Sequence, residues 1–259
     1  MPVAMIAARR LVYRAIPGDA ARPTLVFLHE GLGSAELWRD FPDRLAARLS
    51  ARALLYSRFG YGNSDGLEAK RTPQFMHEEA LTVLPALLEA TGIEAPLLLG
   101  HSDGASIALI HAARARRPVA GLVLMAPHVF VEPVCLQSIA KIRDAYLQSA
   151  SDADGLRSRL AKYHARVDDA FLGWADAWLA PEFRSWTIED LLGAVAAPML
   201  LIQGRDDEYG TLAQLERIEA RAAGPVSRLV LDACGHAPHR DCEAAVLDAI
   251  AAFAALQVQ

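Results

Sequence analysis

The clearest chemistry in the chain sits in Gly100-His101-Ser102-Asp103-Gly104, a serine with a glycine two residues away on each side. The motif follows the apolar run Pro96-Leu97-Leu98-Leu99 and opens an amphipathic stretch at 105–114. A serine at such a strand-to-helix turn takes up strained backbone geometry, and glycines beside it have no Cβ to clash. The turn holds the hydroxyl of Ser102 at its tip, beside the positive end of the following helix. A hydroxyl is a weak nucleophile until a base accepts its proton, and imidazole titrates near neutrality. A carboxylate can then fix the imidazole tautomer and stabilise the imidazolium that forms. Both partners are present downstream. Gln203-Gly204-Arg205-Asp206-Asp207-Glu208 places Asp206 and Asp207 just past an apolar run, at the strand end where open parallel sheets bind ligands. Cys234-Gly235-His236-Ala237-Pro238-His239 offers His236 and His239, the latter where a last helix is about to start.

Positioning these groups needs a frame, and the pattern of the chain predicts one. Short apolar runs fall at 24–29, 53–56, 96–100, 121–126, 198–202 and 228–231. They lack polar alternation, as strands buried on both faces do. Helical spacing of apolar residues fills the intervals 37–49, 75–90, 104–114, 211–222 and 241–256, with Thr72 and Pro73 as N-cap and N1 of the second. This alternation predicts an α/β fold with a mostly parallel, doubly wound sheet. Residues 128–193 break the rhythm: no strand-like run, and tryptophans at 174, 178 and 186. A crossover needs far fewer residues. The reading is a helical cap, 128–193, inserted into a core domain of 1–127 and 194–259, with a pair of ordinary covering helices as the alternative.

With these motifs in this order, the chain resembles the α/β-hydrolase fold superfamily over nearly its whole length outside the cap. The resemblance implies a Ser-Asp-His triad: nucleophile Ser102, an acid three residues after Gly204, which selects Asp207 over Asp206, and the base His236. The loop Leu28-His29-Glu30-Gly31-Leu32-Gly33-Ser34 stands where the family carries a His-Gly-x-Gly turn. By that likeness the backbone N–H groups of Gly31 and Asp103 form an oxyanion hole, where losing one donor typically costs a hundred- to a thousand-fold in rate. Glu30 departs from the pattern, standing where glycine is commoner. Arg58-Phe59-Gly60-Tyr61-Gly62-Asn63-Ser64 looks like the family's glycine-rich turn after its next strand and reads as structural.

Composition bounds what this chemistry can serve. The chain has 259 residues, 53% hydrophobic and 22% charged, with a formal net charge of -5. That balance has no basic excess for nucleic acid. No segment reaches the length of a membrane span, the first residues lack a signal-peptide core, and three cysteines at no metal-ligand spacing suit free thiols in a cytoplasmic protein. The expectation is a cofactor-free, metal-free serine hydrolase that cleaves an ester or related acyl bond of a small molecule, without nucleic-acid or membrane partners. A carbon–carbon bond hydrolase, a perhydrolase and a ligand sensor on the same fold remain alternatives; the sequence sets no oligomeric state. Cap aromatics such as Trp174 and Trp178 either line a pocket or pack the cap onto the sheet. Glu30 and Asp103 either stand clear of the pocket or face it, and in the second case they would disfavour anionic substrates.

Overall fold

The computed structural model describes residues 1–115, 117–149 and 152–256. Its strands are β1 (Val3–Ile6), β2 (Arg9–Ile16), β3 (Leu25–Leu28), β4 (Ala53–Tyr56), β5 (Leu97–His101), β6 (Gly121–Met125), β7 (Met199–Gly204) and β8 (Val226–Leu231). They form one sheet in the order β1-β2-β4-β3-β5-β6-β7-β8. From β4 to β8 all neighbours are parallel, while β1 and β2 add an antiparallel hairpin at one edge. This is the α/β-hydrolase fold.

The six runs read as strands are all strands. Those from β3 to β7 are buried at every residue, because helices cover both faces of the sheet. Alternate side chains still part to opposite sides: Val26 and Leu28 join one core cluster, Leu25 and Phe27 the other. Strand β8 at the far edge is half exposed. The hairpin β1–β2 was not among the expected strands. Its second strand, rich in arginine, pairs over Arg9–Val12 with β1 and over Tyr13–Ile16 with the distant β4, with Tyr13 opposite Tyr56.

Helix ends differ from expectation where tertiary contacts intervene. The helix expected over 37–49 begins only at Phe41, after turns in which Arg39 takes a φ of 55°. The stretch 75–90 is helical throughout, but a π-helical turn, Glu79–Val83, interrupts it and buries Glu79. Thr72 closes the turn ahead of this helix by accepting the Gln74 N–H at 3.2 Å; it is not the cap, which falls at Gln74. The last helix is divided at Cys242 into Pro238–Asp241 and Glu243–Ala255.

Between β6 and β7 run the helices Pro133–Gln148, Leu156–Ala161 and Val167–Leu179, then the 3-10 segments Pro181–Ser185 and Glu189–Ala194. Residues 150 and 151 of the expected cap lie outside the described residues. Most aromatics here pack against one another: Tyr146 stacks on Phe171 at 3.8 Å, and Phe183 lies between Trp178 and Trp186. Trp174 and Trp178 also border a cavity at the carboxyl end of the sheet.

Candidate active site

Ser102 lies between β5 and the helix Asp103–Arg114 with φ 53° and ψ −118°, in the left-handed region that an L-residue enters only under constraint. Two close approaches require the flanking glycines. A Cβ on Gly104 would lie 2.0 Å from the carbonyl oxygen of Leu28, and one on Gly100 would lie 2.4 Å from that of Gly104. The Ser102 N–H donates to the Met125 carbonyl at 2.9 Å, which ties the turn to the end of β6. The helix thus starts directly behind a nearly buried hydroxyl.

The two carboxylates past β7 separate clearly. Asp206 is exposed, whereas Asp207 points inward and accepts the Nδ1–H of His236 at 2.8 Å. Its orientation is set by further donors: the Tyr209 N–H to Oδ1 at 2.8 Å and the Gln203 amide to Oδ2 at 3.1 Å. Burial pushes the Asp207 carboxyl up, but the His236 hydrogen bond and charge outweigh it and hold it below the usual range. Burial likewise lowers His236, and the Asp207 partner overrides this to raise it. His236 Nδ1 therefore carries a proton toward Asp207, and Nε2 is left as a base. His239 packs instead against Trp38 and Phe41.

Ser102 and His236 border the same cavity of about 280 Å³, although no direct hydrogen bond joins the hydroxyl to the imidazole among the described residues. Gly31 and Asp103, the expected N–H donors, border this cavity too. A Cβ on Gly31 would fall 2.1 Å from Trp174 Nε1, so the indole from the inserted helices rests directly on this loop.

The side chains of Glu30 and Asp103 have protein partners. Asp103 is fully buried, with Oδ1 accepting the Trp178 indole N–H at 3.1 Å and Oδ2 lying 3.5 Å from the Arg58 guanidinium. Burial raises its pKa, with Arg58 and Trp178 opposing. Glu30 lies 3.5 Å from His101 Nδ1, and the pull of His101 overcomes burial to keep its carboxyl well below the usual range. Arg58 thus offsets the Asp103 charge, while Glu30 borders the cavity as an ionised carboxylate beside His101. Arg58, read as structural from the sequence, joins the two halves of the site. Its guanidinium donates to the Glu30 carbonyl at 2.9 Å as well as facing Asp103, and it lies over the Tyr61 ring at 4.7 Å. Nothing in the local pattern marked it, because its partners are about 28 and 45 residues away in sequence.

The sequence also passed over His128, just beyond β6. Its ring borders the cavity, with only 2% of the residue exposed, and Nδ1 has no hydrogen-bond partner. A buried polar group left unpaired typically costs about 1–3 kcal/mol. Among the described residues there is no group of three or more histidine, cysteine, aspartate or glutamate side chains placed to hold a metal. Nor is any helix there long and apolar enough to cross a membrane.

Comparison with known proteins places the chain in a family. The family model described as "Alpha/beta hydrolase family" matches residues 25–249. A 2-hydroxy-6-oxononadienedioate/2-hydroxy-6-oxononatrienedioate hydrolase of Pseudomonas putida is 27% identical over 252 residues, 85% of this chain and 82% of that protein. Among solved structures, VinJ superposes with a TM-score of 0.79 at 21% identity, covering 99% of this chain and 98% of that one. An esterase from Exiguobacterium antarcticum gives 0.77 at 17% identity, covering 98% of each. Likenesses at such identities carry the fold.

Proposed function

The chain belongs to the α/β hydrolase family, and from that premise we propose that it is a cofactor-free serine hydrolase acting on an ester or related acyl bond of a small molecule. The observation that carries the proposal is the Asp207–His236 hydrogen bond of 2.8 Å, made at a cavity bordered also by a serine in strained turn geometry. Ser102 Oγ attacks the acyl carbon and forms a C–O bond, while His236 Nε2 takes the hydroxyl proton. The carbonyl oxygen becomes an oxyanion held by the N–H groups of Gly31 and Asp103. Collapse expels the alcohol, which leaves with the proton from His236. Water, deprotonated by the same imidazole, then attacks the acyl-enzyme and releases the acid. Asp207 keeps the imidazole oriented and stabilises its cationic form. Residues 128–193 serve as the cap that closes the apolar side of the cavity through Trp174 and Trp178.

A fluorophosphonate probe tests the assignment. The adduct is expected on Ser102 by peptide mass spectrometry, together with turnover of p-nitrophenyl esters that the Ser102→Ala protein lacks. Labelling at another residue, or full activity in Ser102→Ala, refutes it. The likeness to the Pseudomonas putida hydrolase over 82% of that protein favours a second reading, cleavage of a carbon–carbon bond by the same three residues. Turnover of a vinylogous diketone, with esters left untouched, would select it.

A further inference from the structure

His128 is built into the cavity wall with unusual firmness for a residue that makes no side-chain hydrogen bond. Its carbonyl accepts the Ser106 hydroxyl at 2.6 Å, and the next N–H, of Val129, donates to the Gln214 amide at 2.7 Å. The ring meets the Trp178 indole edge-on at 5.3 Å between centres. On another side Gly210 leaves it room, since a Cβ there would come within 3.3 Å of the ring. Nδ1 is enclosed and unpartnered, so Nε2 is the nitrogen available to the cavity that the ring borders. Burial, reinforced by His236 and opposed by Asp207, holds the imidazole down to about 3. Wherever His236 is a free base, His128 is uncharged. It therefore presents a neutral polar group in a wall that it shares with the apolar Trp178, Ile139 and Cys135 and with the polar Glu208, Tyr209 and Arg240.

We propose that His128 is a substrate-recognition residue that hydrogen-bonds an uncharged oxygen, hydroxyl or keto, one or two carbons from the reacting carbonyl on the acyl chain. The inference rests on the hydrolase reading for the identity of that carbonyl. The position follows from geometry. The His128 and His236 rings are 5.8 Å apart between centres, so an oxygen that meets one while the carbonyl sits beside the other lies close to it along the chain. The preference for an uncharged function follows from the neutral ring, which offers a carboxylate no compensating charge. A site that holds a buried group for one hydrogen bond discriminates against the analogue that cannot make it.

The test compares p-nitrophenyl 3-hydroxybutyrate with p-nitrophenyl butyrate, which share leaving group and chain length. The expected ratio of kcat/KM is about tenfold or more in favour of the hydroxyacyl ester. His128→Phe keeps the ring shape without its nitrogens and should bring the ratio near one. His128→Gln, which carries an amide toward the same place, should restore part of it. A ratio unchanged in His128→Phe, or equal losses on both esters in the two variants, overturns the proposal. A binding arm separates it from the hydrolase reading. The Ser102→Ala protein is titrated with methyl 3-hydroxybutyrate and methyl butyrate, followed by tryptophan fluorescence. Tighter binding of the hydroxy ester, lost in Ser102→Ala/His128→Phe, supports the assignment even if no ester is turned over. Equal affinities overturn it. Failure of fluorophosphonate labelling at Ser102 counts against the catalytic reading alone.

Discussion

Replacing Arg58 by methionine should expose how much of the site depends on one buried cation. Arg58 and the Asp103 carboxylate it faces are both essentially inaccessible to solvent. Removing one member of such a pair strands the other charge and typically costs about 3–5 kcal/mol. For a chain of this size about 2 °C of melting temperature accompanies each kcal/mol, so Arg58→Met should melt roughly 6–10 °C below the parent. Asp103→Asn added to Arg58→Met should recover a large part of the loss, because it removes the stranded charge rather than a contact. The pH dependence has a definite sign. Burial already raises Asp103, and Arg58 opposes that rise. Without Arg58 the folded-state pKa climbs further above the unfolded value. The deficit is then full above the folded pKa and shrinks as pH falls toward the unfolded one, where Asp103 is protonated in both states. Urea unfolding of parent, single and double variants, followed by tryptophan fluorescence at pH 5 and pH 8, measures all three quantities. A loss below about 1 kcal/mol, or a double variant no better than the single, would refute the buried-pair argument. So would a deficit that grows toward acid.

Two further outcomes bear on the catalytic groups. Asp207→Asn should lower kcat by about ten-thousand-fold, the size of the effect in a serine protease triad, while Asp206→Asn, altering an exposed residue, should stay within a few-fold; steady-state ester hydrolysis ranks them, and the reverse order would reassign the acid. The kcat/KM of a neutral ester should rise with pH through an ionisation above the ordinary imidazole value, since Asp207 stabilises the cationic form of His236 against burial. In Asp207→Asn, burial acts without that opposition, so the residual activity should titrate at lower pH; a midpoint unmoved by the substitution would show that another group controls the profile.

Six strands and the turn bearing Ser102 were legible because their causes are local. For the five runs from β3 to β7, an apolar stretch without polar alternation lies between two covering layers, and a serine held at φ 53° needs small neighbours. The order serine, acid, histidine was likewise written along the chain, and the family likeness gave those residues their roles. What stayed hidden depended on groups far apart in sequence. The second half of strand β2, Tyr13–Ile16, is held by pairing with the distant β4, and its pattern does not announce it. Asp206 and Asp207 are adjacent and chemically identical; the family spacing after Gly204 selected Asp207, and the packing of the loop is what brings its carboxylate to His236. Whether Glu30 and Asp103 faced the pocket was open in the sequence, and their partners His101 and Arg58 come to them only through folding. His128 carries no local signal at all; it becomes distinctive only when Trp178 and Gly210 enclose it and leave its Nδ1 without a hydrogen-bond partner. Backbone preference and apolar period act over a few residues and can be read from them. Desolvation and charge pairing arise only when distant segments exclude water together, so the electrostatics of the site belong to the folded chain.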